Sequence, residues 1–418
     1  MFRAQRGIDR PHTAGPSRRR SLVLVSGNVL ALGAVSLITD ISSEMVTAVL
    51  PVYLMIGLHL SPAAYGVVDG TYTGATALLR LVGGYVADRT RRRKFVAGLG
   101  YGFSAVAKLG LLAAGSTVGA IGAVIAIDRT GKGLRTAPRD ALITLSTQPQ
   151  YYGRAFGVHR MMDTVGAFAG PLVALGILAA TAQAYDAVFV ASFCIAAFGV
   201  LVLVLFVRDR RGTQPPKGVV KPTALGDLLR IAPVRRLVLA ACLAGTVTIG
   251  DGFVYLLLQR REELSVGWFP LLAVGTNLSY LLLAAPLGVL ADRIGRQKVV
   301  LAGYSALLLV YLLLFGPLGG WPLLVVVLTL YGVFYAATDG VLIALAGPVL
   351  PSGVRTTGIA LIQTGQALSY LVSSVLFGLA WTVWGPATAI QVAAALVAVA
   401  LLVVGFLLRG ISATEQPA

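Results

Sequence analysis

The chain has 418 residues, of which 57% are hydrophobic and 12% charged, with a mean hydropathy of +0.83. Soluble domains run nearer half apolar and a quarter charged, so a string of water-soluble domains is excluded. The net charge of +17 would suit a nucleic-acid binder, but the positive residues gather mostly in the N-terminal tail and in short connections between apolar runs, which points away from nucleic acid.

A helix rises about 1.5 Å per residue and a bilayer core is about 30 Å thick, so about 20 apolar residues cross it. Twelve runs meet that length, at 25–58, 62–87, 95–115, 117–145, 153–183, 186–207, 236–258, 266–291, 297–317, 321–349, 354–380 and 385–409. The pattern predicts an all-α integral membrane protein. Its parts are a basic tail (1–24), a six-helix bundle (25–207), a linker (208–235), a second six-helix bundle (236–409) and a short tail (410–418). The linker carries Gln214, Pro215, Pro216 and several charges, which suits a solvated strap. Arg3, Arg6, Arg10, Arg18, Arg19 and Arg20 precede the first run, and Arg89, Arg91, Arg92, Arg93 and Lys94 follow the second. A third basic group, from Arg208 to Arg236, separates the sixth run from the seventh. Arg293, Arg296 and Lys298 follow the eighth run, and the connections on the opposite side are almost free of Lys and Arg, apart from Arg260 and Arg261, which Glu262 and Glu263 accompany. This positive-inside alternation predicts that both termini are cytoplasmic. The first run continues past Asp40 to Ile56, longer than a cleaved signal peptide, and is expected to be retained. Cys194 and Cys242 lie inside apolar runs and read as packing residues, not as a disulfide framework.

The two halves repeat. Gly84-Tyr-Val-Ala-Asp88-Arg89 recurs 204 residues later as Gly288-Val-Leu-Ala-Asp292-Arg293. Arg154-Ala-Phe-Gly157 recurs as Arg355-Thr-Thr-Gly358, and Asp140 has a counterpart in Asp339, at offsets of 201 and 199 residues. Duplicated bundles of this kind rock about a site between them.

Gly84-x-x-x-Asp88-Arg89-x-x-Arg92-Arg93 resembles the loop motif after helix two of the major facilitator superfamily, and Gly288-x-x-x-Asp292-Arg293-x-Gly295-Arg296-x-Lys298 is the closer copy. In run five, Gly157, Gly166 and Gly170-Pro171 are similar to the motif of antiporters in that superfamily, although Ala174-Leu175 stands where a closing Gly-Gly is usual. Arg129-x-x-Lys132-Gly133 resembles the helix-four motif, with Lys in place of a usual glutamine. The resemblance covers residues 25–409 and implies twelve transmembrane helices in two pseudo-symmetric bundles. On the pseudo-symmetry, Asp88 is expected to reach Arg355 and Asp292 to reach Arg154, latching the bundles in the outward-facing state.

Intramembrane charges cost about 2.5–3.5 kcal/mol each on insertion scales and mark candidate sites. Run four carries Asp128, Arg129, Lys132, Arg135, Arg139 and Asp140, and residues 128, 132, 135 and 139 share one helical face. That face must look onto a cavity. Counted from residue 117, Asp128 and Arg129 lie about 17 Å deep and Arg139 near the interface. Run one adds Asp40 and Glu44, and run five adds His159, Arg160 and Asp163. They read either as a structural network or as a proton relay in which Arg129 or Arg160 biases Asp40 or Glu44. Asp251 in run seven and Asp339 in run ten have no cation nearby in sequence, so each is a candidate for proton exchange or for pairing with a cationic substrate. Asp251 matches the depth of Asp40 and is expected to face it across the cavity. Tyr72, Asn277, Tyr280, Gln363 and Gln366 are expected to line the pathway.

No Walker, GxSxG or metal-ligand spacing is present, so neither an enzyme nor a metal or cofactor is expected. The expected function is secondary transport by alternating access, as proton-coupled efflux of a small hydrophobic or cationic compound by a monomer in a bacterial inner membrane. Import of a nutrient or metal ion, and a non-transporting receptor or scaffold, are the rivals.

Overall fold

A computed structural model describes residues 26–90, 92–148, 151–209, 228–339 and 355–409, with 341, 345, 346, 349 and 350. The expected tails at 1–24 and 410–418, and 210–227 of the linker, lie outside the described residues. The first bundle contains α1 (Gly27–Val52), which runs on into a π-helical turn (Tyr53–Gly57), α2 (Pro62–Thr90), α3 (Arg93–Ala113), α4 (Val118–Leu145), α5 (Tyr152–Ala180) and α6 (Tyr185–Phe206). The second contains α7 (Ala232–Val247), α8 (Asp251–Arg261), α9 (Phe269–Ile294), α10 (Arg296–Phe315), α11 (Gly320–Thr338) and α12 (Arg355–Arg409). Gly385, at φ 82° and ψ 166°, breaks α12 into arms 355–384 and 386–409, a conformation that costs glycine little. The twelve sequence runs thus map onto α1 to α6, α7 with α8, α9, α10, α11 and the two arms of α12.

Local chemistry sets several ends. Ser26 caps α1 by accepting the Val29 amide, and Gly295 at φ 101° turns the chain from α9 into α10. Two runs behave differently from their apolar pattern. Run seven breaks at Thr248–Gly250, where a β-branched pair and a glycine have low helix propensity. The freed Ile249 amide donates to the Tyr311 hydroxyl of α10 at 3.0 Å, so the break is satisfied inside protein. Run ten is interrupted at Asp339 (φ −67°, ψ 127°), and the described residues 341, 345, 346 and 349 beyond it are again helical.

Nine stretches among the described residues are long and apolar enough to cross a membrane. The charges in its middle keep α4 out of that set. Large apolar side chains cover the outside, with Leu402 78%, Phe406 75% and Val383 72% exposed, an apolar surface suited to lipid. Inside each bundle, glycines bring backbones together: Gly131 of α4 lies against Gly100 and Ser104 of α3, and Gly332 of α11 against Thr276 and Tyr280 of α9. The two bundles meet along α2 with the first arm of α12, and along α5 with α9.

Candidate functional site

Packing of α3, α4 and α2 organises the charged face of α4. Asp128 is held by the guanidinium of Arg129, by the Ser104 hydroxyl and by Lys108 at 3.5 Å. Arg129 also lies flat over the ring of Tyr72, 3.6 Å from its centroid. Tyr72 in turn shares a hydrogen bond of 2.6 Å with Thr47 of α1. These groups fix one another, because a buried charge survives only when it is paired and hydrogen-bonded. Lys132, one turn on, makes no ion pair within 4 Å among the described residues and points into the central cavity.

Below it, Arg135 pairs with Asp40 at 3.6 Å and lies over Tyr101, while Arg139 reaches Asp163 at 3.8 Å and Asp140 at 3.1 Å. For Asp40 alone the structure changes the cation expected in the relay. The cation within 4 Å of Asp40 is Arg135, whereas Arg129 is committed to Asp128 and Arg160 contacts Asp163 with its side chain 76% exposed. The Arg139 side chain is only 15% exposed, packed within the bundle beside Asp163 of α5. His159 is buried against the Ser36 hydroxyl at 2.9 Å, and neither it nor Asp128 lines the two large cavities.

The glycines of α5 explain how the acids of α1 are placed. Gly166 faces the Leu37 backbone and the Cβ of Asp40, and Gly170 faces the Cβ of Glu44. Any larger residue would push α5 off α1 at the level of both carboxylates. Gly157, by contrast, has open space around it, and Pro171 lines a small cavity beside Glu44.

In the second bundle the helix break positions Asp251 at the first residue of α8, where an acid is favoured by the helix N-terminus. Its carboxylate accepts from the hydroxyls of Tyr331, at 2.8 Å, and Tyr335. Asp339 accepts from Tyr280 at 3.1 Å. The sequence identified Asp251 but not its tyrosine donors, which lie 80 residues or more from it in the chain.

A cavity of about 550 Å³ lies between the bundles, with Arg129 and Lys132 on one wall and Asp251, Asp339, Gln363 and Gln366 on the other. An adjoining cavity of about 330 Å³ is lined by Asp40, Arg160, Asp163, Asp251, Asn277 and Tyr280, so Asp40 and Asp251 do face one space. A third, of about 170 Å³, joins Glu44, Tyr72, Pro171 and Asp251 to Asp69. Asp251 lines all three. The exposed lining groups Arg160 and Asp339 lie toward the end of the bundle that carries the basic loops.

The opposite end is closed. Gly66 and Gly70 of α2 pack on Ser374 and Leu371 of α12, Gly378 packs on Pro62, and the Ala63 amide donates to Thr382 at 3.0 Å. Tyr65, Phe253, Phe377 and Trp381 form an aromatic plug there, with Tyr65 and Phe253 edge to face at 4.7 Å. Within this closure sits Asp69, which sequence reasoning missed. It accepts from Ser374 at 2.6 Å and from Tyr370 at 3.4 Å. The rule applied to the other intramembrane acids would have found it, since it lies inside run two.

Asp292 pairs with Arg296 at 3.2 Å on its own end of the molecule, and not with Arg154, which is exposed. Gly288 has open space around it, and Asp292, Arg293 and Arg92 are exposed beside it at the basic end. The side chains of Asp88, Arg89 and Arg355, and the surroundings of Gly84, lie outside the described residues.

The chain matches the model of the Major Facilitator Superfamily over residues 32–276 and 261–418. An uncharacterized MFS-type transporter of Methanocaldococcus jannaschii is 29% identical over 369 residues, covering 86% of this chain and 89% of that protein. An uncharacterized protein of Mycobacterium tuberculosis is 36% identical over 157 residues, 38% of each chain. Among solved structures, the nucleoside transporter NupG superposes with a TM-score of 0.75 at 16% identity, covering 93% of this chain and 99% of that one. The peptide transporter POT in complex with sulfate gives 0.72 at 14% identity, covering 91% and 96%. A bacterial homologue of the lysosomal transporter Spinster gives 0.71 at 15%, covering 93% and 98%. At these identities the likeness is one of fold.

Proposed function

The chain belongs to the Major Facilitator Superfamily, and on that premise we propose that it is a proton-coupled secondary transporter that exports a small polar solute by alternating access. Family and fold are those of transporters, not enzymes. The observation that carries the proposal is the cavity of about 550 Å³ between the bundles, a volume suited to a drug-sized solute. Its walls hold charges of both signs: among the described residues Lys132 has no ion-pair partner within 4 Å, and Asp251 is held by hydroxyls and its own helix terminus. Such a lining favours a polar or cationic solute over a purely hydrophobic one, because an apolar guest would strip these groups of water without replacing their hydrogen bonds. NupG is a nucleoside transporter and POT a peptide transporter, and polar cargo of that size fits the same reading.

The positive-inside pattern puts the basic end in the cytoplasm. The form described is then inward-facing, with the cavity reaching the cytoplasm and the outer end sealed by α2 and α12. Export is favoured by the Gly157, Gly166 and Gly170-Pro171 motif, whose last two glycines seat Asp40 and Glu44. Import is the second reading, favoured by Ala174-Leu175 in place of the closing glycines.

Solutes are first screened for thermal stabilisation of the purified protein, since a ligand bound to the folded state stabilises it by mass action. The hits are then followed in proteoliposomes under an imposed proton gradient. Movement of solute against the inward flow of protons supports export. Movement with the protons establishes import, and flux indifferent to the gradient overturns coupling.

A further inference from the structure

The carboxyl at residue 69 has no part in the solute cavity of about 550 Å³, yet it occupies the seam on which alternating access depends. Resting on that reading, we propose that Asp69 is a coupling carboxyl of the outer gate, exchanging a proton with the outer compartment when α2 and the first arm of α12 part.

Four observations carry it. Among the described carboxylates, Asp69 is the one whose hydrogen bonds cross between the bundles, from Ser374 at 2.6 Å and Tyr370 at 3.4 Å. No Lys, Arg or His nitrogen lies within 4 Å of it among the described residues, so the closed gate satisfies it with neutral hydroxyls. Those of Ser374 and Tyr370 belong to α12 and would leave with it, whereas Tyr65 stays on its own helix. Second, residue 250 in the break between α7 and α8 is glycine, and a Cβ there would collide with both Asp69 carboxylate oxygens. The α7–α8 break thus makes room for this side chain. Third, Asp69 lines the cavity of about 170 Å³ that also holds Glu44 and Asp251, and Tyr72 and Tyr370 are shared between that cavity and the solute cavity. A path therefore connects the gate carboxyl with the central acids. Fourth, the ionisable groups facing it are Tyr65 on its own helix, Glu44 from α1, Asp251 and Tyr255 from α8 and Tyr370 from α12, all of them acidic. No cation pins Asp69 in one protonation state.

When the gate parts, Ser374 and Tyr370 are exchanged for the water of the outer compartment. A group held in two such different environments binds a proton with two affinities, and linkage then makes gate opening depend on pH. One proton changes the ratio of parted to closed gates by at most about tenfold per pH unit.

The test places spin labels at Ser61→Cys and Val383→Cys, both exposed at the outer end, in full-length protein carrying Cys194→Ser and Cys242→Ser. Label separation is read in lipid nanodiscs from about pH 5 to 9, spanning the range in which a perturbed carboxyl titrates. The proposal expects two populations whose ratio changes with pH in the otherwise native protein. That dependence is lost in Asp69→Asn, which keeps the size and the accepting oxygen, and is restored in Asp69→Glu. Ser374→Ala, which leaves the carboxyl but removes a donor, is expected to move the midpoint and keep the slope. An unchanged slope and midpoint in Asp69→Asn overturns the assignment while leaving proton-coupled alternating access standing. Two populations that ignore pH in the native protein also overturn it, again without touching alternating access. A single closed population under all conditions counts against both.

Discussion

Asp128 offers a quantitative test of how the first bundle holds its charges. It is one carboxylate serving two buried cations, Arg129 and Lys108, whose side chains are 3% and 4% exposed. In Asp128→Asn both lose their counter-charge at once. Removing one partner of a buried pair costs about 3–5 kcal/mol, and the cation–π contact of Arg129 with Tyr72, at 3.6 Å, is kept in both proteins and cancels from the difference. A loss of about 3–5 kcal/mol is expected from equilibrium unfolding in mixed micelles of increasing SDS content. Lys108→Met should cost less than Asp128→Asn, because it removes the more distant partner at 3.5 Å and leaves Asp128 with Arg129. In the double variant the two losses should fall short of additivity by about 1 kcal/mol or more, as for residues in one network. A single-variant loss below about 1 kcal/mol, or strict additivity, would refute the idea that Asp128 neutralises both cations.

Two further outcomes follow from packing and from the broken helix. Gly131→Ala should destabilise by about 1–3 kcal/mol, since its Cβ would meet Ser104 N at 2.8 Å. Gly122→Ala on the same helix, with nothing within 4 Å, should be neutral or stabilise by up to about 1 kcal/mol; equal effects in the same unfolding assay would contradict the close α3–α4 contact. Tyr311→Phe leaves the Ile249 amide without its acceptor and should cost about 1–3 kcal/mol, with faster amide hydrogen exchange at Ile249 as the specific readout.

Much of the architecture is legible in the chain because lipid imposes a simple rule. Every backbone group must be paired within the segment, so about 20 apolar residues mean a helix, and the duplicated Gly-x-x-x-Asp-Arg signature divides the helices into two bundles. The same rule made most intramembrane charges conspicuous, and Asp40, Glu44, Lys132, Asp251 and Asp339 do line the cavities between the bundles. It failed where a helix is interrupted by a partner distant in sequence. Nothing around Thr248–Gly250 announces that Tyr311 will accept the Ile249 amide, and so nothing announces that Asp251 begins a helix instead of sitting in the middle of one.

By itself, the sequence determined the solvent of the outer surface, the number of spans, their duplication and the side of the membrane expected for the basic loops, because each follows from composition and spacing along one chain. Only the tertiary structure decided which charges satisfy one another: Arg135 and not Arg129 or Arg160 with Asp40, Tyr331 and Tyr335 with Asp251, Ser374 with Asp69. Those pairings depend on which helix faces overlap and at what height. A hydrogen bond or ion pair forms within 3 to 4 Å, a distance that the packing of glycines against neighbouring backbones sets.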